Sequence, residues 1–279
     1  MLRSRVTNMA KSFYFTFKNL KFPVYLPAES VGIDERVLAS FAPFNNWVRA
    51  IEQSVTNTPG YKLRGVDIQS IDYFGSRIGF LKFRADLVHP NGHALPGVTV
   101  LRGGSVAMLV IIKDTDSTVT NNGKPKEYII LTDQPRVPLG RASYLEIPAG
   151  MIDEQPGADQ ASIFIGAAAR ELQEEVGIFI TRPNELVDLT RTVAHASDGV
   201  HLSPGLLDEA IKIYLHTTAM PASKIADLQG QLRSRVEESG ENEVITLRIV
   251  PLEQALLSGL TDAKSILALS LYAQYKINS

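Results

Sequence analysis

Residues 170–178 read Arg170-Glu171-Leu172-Gln173-Glu174-Glu175-Val176-Gly177-Ile178 and place three carboxylates within five residues of a predicted helix. Glu171, Glu174 and Glu175 stand at i, i+3 and i+4, so an α-helix would project all three from one face. Like charges at that spacing repel one another, and a divalent cation that prefers oxygen ligands, such as Mg²⁺ or Mn²⁺, would remove the repulsion. A solvated acidic helix face is the alternative, but the whole pattern favours a metal site.

A second stretch, Leu145-Glu146-Ile147-Pro148-Ala149-Gly150-Met151-Ile152-Asp153, precedes that helix and is predicted as a strand followed by a loop. The acidic helix resembles the second half of the Nudix box. The strand and loop resemble the opening of that box in ADP-ribose and ADP-sugar pyrophosphatases. The resemblance implies a hydrolase that cuts a pyrophosphate bond in a nucleoside diphosphate derivative.

The sequence departs from the family pattern between these two stretches. Gly150 precedes Arg170 by twenty residues, more than in the family, and Pro156 stands where the family has a spaced glutamate. The segment from Gln155 to Ala161 is therefore predicted to be a loop insertion. Asp153 or Glu154 is then the candidate for the displaced acid, whose usual role is to brace the arginine.

The resemblance implies a set of metal ligands. Glu171, Glu174, Glu175 and the backbone carbonyl of Ala149 are expected to hold divalent ions, Mg²⁺ or alternatively Mn²⁺. Glu174 and Arg170 are counted with the catalytic residues. Arg170 is expected to orient the carboxylates through a salt bridge rather than to touch the substrate.

The general base is expected in a later loop. Ser203-Pro204-Gly205-Leu206-Leu207-Asp208-Glu209 resembles the loop that follows the box in ADP-ribose pyrophosphatases, and Glu209 matches the glutamate that positions or deprotonates the attacking water. Two alternatives stay open: Glu209 flanks a strand and faces solvent, or the base lies among the glutamates of residues 238–243.

The substrate phosphates are expected to meet Arg136, with Gly150 and Met151 bordering the site through their backbone. Arg136 matches the arginine of a Gln-x-Arg segment that contacts phosphate in relatives, and its planar fork can bind two oxygens at once. An ordinary surface arginine is the alternative. Three histidines show no metal-ligand spacing and are predicted to be loop or surface residues, namely His195, His201 and His216.

The resemblance extends over nearly the whole chain, towards plant-type ADP-sugar diphosphatases. Gly79-Phe80-Leu81-Lys82-Phe83-Arg84-Ala85-Asp86-Leu87 and Arg102-Gly103 look like the N-terminal part of that group. It implies an α/β/α sandwich with a mixed sheet and a small N-terminal antiparallel β domain. In relatives that domain is exchanged between protomers, which implies a homodimer. Phe74, Phe80 and Arg84 are unranked candidates for base recognition.

Composition sets limits on the function. The chain has 279 residues, 44% hydrophobic and 21% charged, as in an ordinary globular protein. A net charge of −2 gives no electrostatic case for nucleic acid, and zero cysteines exclude disulfides and thiolate metal sites. The longest apolar stretch, Val106 to Ile112, is too short to span a membrane.

The first 28 residues contain no acid and carry several basic residues among Ser, Thr, Asn and aromatic side chains. That composition suits an organelle transit peptide, which would send the protein to mitochondria or plastids. The alternative is a basic tail or first strand, in which Phe13, Phe15 and Phe17 alternate; the protein would then be cytoplasmic.

We predict three regions: a basic segment 1–28, a helix and β domain 29–104 for dimerisation and base recognition, and a Nudix hydrolase domain 105–279. Patterns of apolar and turn residues predict the elements. The helices are predicted at 33–54, 159–176, ending at Gly177, and 263–277. The strands are predicted at 66–73, 78–87, 99–101, 106–112, 128–132, 210–216 and 245–250, with a hairpin turn at 90–93. In the last helix, the residues expected to point inward are Ile266, Leu267, Leu269, Leu271 and Tyr275.

These observations predict a Mg²⁺-dependent enzyme that hydrolyses ADP-sugars, such as ADP-glucose or ADP-ribose, to AMP and a sugar phosphate. A second hypothesis keeps the machinery but changes the substrate to another nucleoside diphosphate derivative. A third is a nucleotide-binding sensor that has lost catalysis, because the box carries an insertion and lacks its spaced glutamate.

Overall fold

The computed structural model describes residues 9–28, 30, 32–117, 125–152, 160–236 and 242–278. The chain forms two units. The first is Met1–Gly103 together with Ser203–Glu209, and the second is Gly104–Leu202 together with Ala210–Ser279.

The first unit is built on a five-stranded sheet with two helices. Its elements in chain order are β1 (Met9–Phe17), β2 (Leu20–Pro27), α1 (Glu35–Ser40), α2 (Ala42–Asn57), β3 (Lys62–Phe74), β4 (Arg77–Val88) and β5 (Val98–Leu101). The strands follow one another in the order β1 to β5. Three pairings are antiparallel, as predicted, whereas β2 and β3 run parallel.

Aromatic side chains fill the core of this unit. Phe22, Phe44 and Phe83 are fully buried. Phe44 meets Phe15 and Phe83 edge to face, with ring centroids 5.1 and 6.1 Å apart. Because Phe15 lies on β1 and Phe22 on β2, the hairpin of residues 9–27 is part of this core rather than a tail. The N-terminal region was predicted to be either a transit peptide or a basic tail or first strand, and its described part forms the strands β1 and β2.

The single helix predicted over residues 33–54 is wrong, because the structure has two helices there. Asp34 caps α1 by accepting a hydrogen bond from the backbone N–H of Val37 at 2.9 Å. Phe41 is extended, with φ −85° and ψ 103°, and Pro43 stands in the first turn of α2. Proline suits the first turn of a helix, where its missing N–H needs no partner, so a new helix begins here after the extended Phe41. The predicted hairpin turn is confirmed, with Gly92 at φ +88°.

The second unit contains a mixed sheet of nine described strands. Its elements in chain order are β6 (Ser105–Asp114), β7 (Glu127–Arg136), β8 (Arg141–Glu146), β9 (Ala149–Met151), α3 (Gln160–Glu171), β10 (Leu186–Asp188), α4 (Leu189–Thr192), β11 (Val200–His201), β12 (Ala210–Met220), α5 (Ala222–Leu228), β13 (Leu232–Val236), β14 (Asn242–Pro251) and α6 (Ala263–Asn278). The main path is β10-β12-β6-β7-β14-β13, with β11 on β12, β8 on β7 and β9 on β6. β12 and β6 pair in parallel.

Helices cover both faces of this sheet. Alternate residues of β6 face two separate cores, because successive side chains of a strand point in opposite directions. Ala107, Leu109 and Ile111 belong to the core that includes residues of α4 and α6. Val106, Met108 and Val110 belong to the core that includes residues of α3 and α5. The predicted α/β/α sandwich is confirmed.

The inward face of α6 differs from the prediction. Ile266 is 44% exposed, whereas Ala268 and Tyr272 are buried. Lys264 and Ser265 in the first turn are also buried, although both are polar. A prediction from the apolar residues alone therefore places the buried face of α6 wrongly by part of a turn. No helix in the described ranges is long and apolar enough to cross a membrane.

Candidate active site

The glutamate-bearing turn is not a regular α-helix. α3 ends at Glu171, and Leu172–Val176 continues as a turn of π-helix. Gly177 then ends the turn with φ 78°, as predicted, and donates its N–H to the carbonyl of Gln173 at 3.1 Å. A π-turn closes i→i+5 hydrogen bonds and is often found at functional sites.

The three glutamates differ in exposure. Glu171 and Glu175 are 3% and 2% exposed, whereas Glu174 is exposed. The shared face was predicted from α-helical spacing, and the π-turn changes the angles between successive side chains within the stretch. Arg170, at the end of α3, is exposed, and its role in orienting the carboxylates stays a prediction.

The two buried glutamates lie against β9. The Oε2 atom of Glu175 accepts a hydrogen bond from the backbone N–H of Ala149 at 3.2 Å. A Cβ atom built on Gly150 would lie 2.1 Å from Oε1 of Glu171, so glycine is what allows this carboxylate to approach the strand. β9 is fixed in turn by its pairing with β6, where Gly150 is opposite Val106.

This donor set fits a hard divalent cation in its chemistry. Carboxylate oxygens of Glu175 and Glu171 lie beside the backbone of Ala149 and Gly150 respectively, and oxygen ligands are what Mg²⁺ and Mn²⁺ prefer. Within the described residues, no three acidic, histidine or cysteine side chains are close enough to form a metal site by themselves. The backbone carbonyl of Ala149 and the exposed Glu174 would have to complete it.

Arg233 of β13 holds the end of the glutamate-bearing turn. Its Nη2 atom donates to the carbonyl of Val176 at 3.2 Å and to Oε1 of Gln231 at 2.8 Å. A cation at a helix C-terminus also interacts favourably with the helix dipole. Arg233 could not be identified from the sequence, because nothing local marks an arginine 57 positions away as a helix cap.

Arg136 belongs to a buried charged cluster. Its Nε atom donates to Oε1 of Glu146 at 2.6 Å, and Lys264 of α6 binds the other oxygen of the same carboxylate. Glu146 is 2% exposed. The side chain of Arg136 keeps 34% of its surface exposed, so it can still meet a ligand. Arg136 was predicted from the sequence as a site residue, whereas its neighbours Glu146 and Lys264 were not.

Glu209 lies in the first unit and is 8% exposed, so it does not face solvent. Its Oε2 atom is 3.4 Å from Nη1 of Arg102. The neighbouring Asp208 accepts hydrogen bonds from the backbone N–H groups of Arg102 at 2.8 Å and of Gly103 at 3.2 Å. The loop also pairs with β5 through Val100 N–H and the carbonyl of Leu206, at 2.9 Å.

Burial raises the pKa of Asp208, against the lowering effect of the hydrogen bonds from Arg102 and Gly103. The two backbone hydrogen bonds offset the unfavourable burial of the Asp208 carboxylate, so this side chain anchors the loop. We name residues 203–209 the Glu209 loop. The sequence resemblance identified its last residue, whereas Arg102 and Asp208, which hold it, were not recognised as its supports.

Several predicted residues lie outside the described ranges, namely Asp153, Glu154, Pro156, Glu238 and Glu241. Glu243 stands in β14 opposite Arg235. The prediction for His216 is wrong: it is 7% exposed, and its Nδ1 atom is 3.1 Å from the carbonyl of Glu185. Phe74 and Phe80 contact each other edge to face at 5.0 Å.

The NUDIX domain model matches residues 112–269 of this chain. Nudix hydrolase 14, chloroplastic, from Arabidopsis thaliana is 36% identical over 234 residues, which cover 82% of this chain and 69% of the relative. The chain therefore belongs to the Nudix hydrolase family. Enzymes of this family generally use divalent metal ions.

Two solved structures are similar to this chain. A crystal structure described as an ADP compounds hydrolase has a TM-score of 0.46 and 18% identity, covering 78% of this chain and 97% of that one. A Nudix hydrolase from M. Smegmatis, RenU, has a TM-score of 0.32 and 16% identity, covering 68% of this chain and 92% of that one.

Proposed function

We propose that this chain is a Mg²⁺-dependent Nudix pyrophosphatase that hydrolyses ADP-sugars to AMP and a sugar phosphate. The observation that carries the proposal is the pair of buried carboxylates, Glu171 and Glu175, set against the backbone of Ala149 and Gly150 in the Nudix domain. Burying two carboxylates is unfavourable unless a cation neutralises their charge, and enzymes of this family bind divalent metal ions with such carboxylates.

The proposed metal ligands are Glu171, Glu174, Glu175 and the backbone carbonyl of Ala149. A divalent ion held there would supply charge neutralisation for a pyrophosphate, which is anionic and resists attack by water. The protein would supply the rigid support: β9 and the glutamate-bearing turn hold two of the carboxylates, and Arg233 caps that turn.

The remaining groups bind the substrate and move the proton. Arg136 would bind a phosphate oxygen with the donors that do not face Glu146, since a guanidinium has five N–H groups. Glu209 would accept a proton from water while the water oxygen attacks one phosphorus of the pyrophosphate. The bond between that phosphorus and the bridging oxygen then breaks, and the bridging oxygen stays with the leaving group, which is AMP or the sugar phosphate. Gly150 and Met151 would border the phosphate through their backbone.

The substrate class is tested by phosphate-product release with Mg²⁺ from ADP-ribose, ADP-glucose, UDP-glucose, GDP-mannose and diadenosine polyphosphates. Turnover of the ADP-sugars alone would support the proposal. Turnover of another member of the panel would move the enzyme to a different nucleoside diphosphate derivative. Binding of ADP-sugars without turnover of any compound would favour the sensor hypothesis, with the Glu175→Gln variant as the inactive reference.

We also propose a homodimer formed through the N-terminal β domain of residues 29–104. The support is the resemblance to plant-type ADP-sugar diphosphatases and the exposure of large apolar side chains in this range, with Tyr73 at 48% and Val98 at 43%. Light scattering at micromolar concentration tests it, and a monomeric mass would contradict it.

Plastid delivery is the localisation that we favour, because the relative from Arabidopsis thaliana is called chloroplastic. Cleavage after residue 28 would remove β1 and β2, which carry the fully buried Phe22 and Val24. A chain that starts at residue 9 should therefore fold, whereas one that starts at residue 29 should not. Circular dichroism and solubility compare the two, and a soluble, folded chain from residue 29 would restore residues 1–28 as a transit peptide.

A further inference from the structure

The charged cluster around Glu146 joins three elements of the second unit. Glu146 is the last residue of β8, Arg136 is the last residue of β7, and Lys264 lies in the first turn of α6. Glu146 and Lys264 are 2% and 8% exposed. Burying ionised groups is unfavourable unless they are paired, so the cluster must keep its partners together to fold.

Both oxygens of the Glu146 carboxylate are used, and by different cations. Nε and Nη2 of Arg136 both meet Oε1, while Nζ of Lys264 meets Oε2. An arginine and a carboxylate often pair with two parallel hydrogen bonds, one to each oxygen. Here Lys264 occupies the second oxygen, so Arg136 is confined to the first.

The first turn of α6 is itself locked onto the strand that carries Glu146. The backbone N–H of Ile147 donates to Oγ of Ser265 at 2.8 Å, and Ser265 is fully buried. Asp262 accepts from the N–H of Ser265 at 3.0 Å and lies 3.1 Å from Nζ of Lys264. Lys264 is therefore held between Asp262 and Glu146, with little freedom to move.

We propose that Lys264 is a positioning residue for anion binding: by occupying Oε2 of Glu146, it fixes the orientation of the Arg136 guanidinium that receives a substrate phosphate. The inference rests on the proposed function, in which Arg136 contacts phosphate. Without Lys264, Oε2 becomes available to Arg136, which turns towards a two-oxygen pairing and away from the ligand. Glu146 then has one counter-ion instead of two.

The test compares Lys264→Met with wild type, using ADP as the probe for binding in the presence of EDTA and a turned-over nucleotide sugar for kinetics. Loss of a charge-assisted hydrogen bond should weaken ADP binding and raise KM by about 10- to 100-fold. kcat should change by less than about threefold, because the interaction serves binding rather than the reacting bond. Lys276→Met is the matched control, since Lys276 lies in the same helix and pairs with Glu127 at 2.7 Å.

A second substitution separates positioning from a purely structural role. Glu146→Gln added to Lys264→Met removes the carboxylate that would draw Arg136 inward, so ADP affinity should return to within about threefold of wild type. A purely structural role predicts instead that kcat and ADP affinity change together in both variants, because a loosened α6 would disturb the whole site and paired residues are coupled in either case. If Lys264→Met does not fold, Lys264→Gln replaces it, with an expected weakening of about threefold to tenfold.

Arg136→Met distinguishes this inference from the proposed function. If Arg136→Met leaves ADP affinity unchanged, the phosphate contact itself is wrong. If Arg136→Met weakens ADP binding while a folded Lys264→Met does not, the positioning role of Lys264 is overturned and the proposed function stands. If both weaken it and the double variant at positions 146 and 264 restores it, the inference holds.

Discussion

The glutamate-bearing turn and the Glu209 loop are held in place in different ways. Gly177 N–H bonds the carbonyl of Gln173, and Ile178 N–H bonds that of Leu172, so the end of the turn is shaped by neighbours in sequence. The Glu209 loop depends on Asp208, whose partner Arg102 is 106 positions away. The turn can therefore be perturbed locally, whereas the loop is sensitive to changes in a distant strand.

The difference has a consequence for catalysis. A carboxylate on a turn anchored to a sheet is held in one orientation with little further cost, which suits a metal ligand. A carboxylate on a loop keeps its place only as long as its anchors do, and a general base must be within hydrogen-bond reach of the water it serves. Substitutions in the two regions should therefore differ in size and in kind.

The largest effect is expected for Glu175→Gln in the turn. The amide keeps the shape of the side chain but lacks the charge that a divalent ion requires, so turnover should fall by about a thousandfold or more. Steady-state turnover and Mg²⁺ binding by calorimetry measure it. Gln173→Ala, an exposed position in the same turn, is the control. Wild-type activity in Glu175→Gln would refute the metal assignment.

Glu209→Gln should come next, with a loss of roughly a hundredfold or more, as for removal of a general base. The loss should fall on kcat, and the affinity for ADP should stay near that of wild type. Glu241→Gln and Glu243→Gln are the comparison variants. If Glu209→Gln keeps the full rate while one of these loses it, the base lies in residues 238–243.

The sequence predicted the parts of the molecule whose geometry is decided locally. Apolar runs predicted β3 to β7, β12 and β14, and Gly177 predicted the end of the turn, because a left-handed residue there favours glycine. Periodicity was less successful where a local break intervenes. Phe41 separates two helices, and the π-turn changes the angle between the side chains of Glu171 and Glu175. The pattern of apolar residues reveals neither of these breaks.

Tertiary partners were beyond reach for a physical reason. Lys264 and Ser265 are buried because Glu146 and Ile147, 118 positions away, provide a counter-ion and a donor. In the sequence they look like an ordinary polar first turn, which would normally face solvent. Asp208 likewise looks like any loop acid until Arg102 and Gly103 are seen to donate to it.

Asp208→Asn tests whether the loop really depends on its anchor. Asparagine keeps one accepting oxygen but loses the negative charge, and its NH₂ group replaces the second oxygen that accepts from Gly103, so both hydrogen bonds weaken, Glu209 should lose its position and kcat should fall by about tenfold. KM should change little. An unchanged kcat in a folded variant would mean that Arg102 alone holds Glu209.

The difference in the free energy of unfolding between wild type and Asp208→Asn should change with pH in a defined direction. Because burial raises the pKa of Asp208 in the native state, the native state binds this proton more tightly than the unfolded chain does. The contribution of Asp208 to stability therefore falls as pH rises from about 4. The free energy of unfolding of wild type relative to Asp208→Asn should decrease as the pH rises above about 4, which urea unfolding measures.

The smallest effect is expected for Gly177→Ala at the end of the turn. An alanine at φ 78° is strained, and its Cβ would lie 2.6 Å from Nη2 of Arg233, so the free energy of unfolding should fall by about 1–2 kcal/mol. Arg233 can shift its flexible end, which limits the loss in kcat to a few-fold. Gly166→Ala in α3 is the matched control: its Cβ meets nothing within 4 Å, and alanine should stabilise the helix by about 0.5–1 kcal/mol. If both variants were stabilised, the left-handed residue at the end of the turn would not be strained by alanine. The difference between the turn and the Glu209 loop would then be supported only by the Asp208 variant.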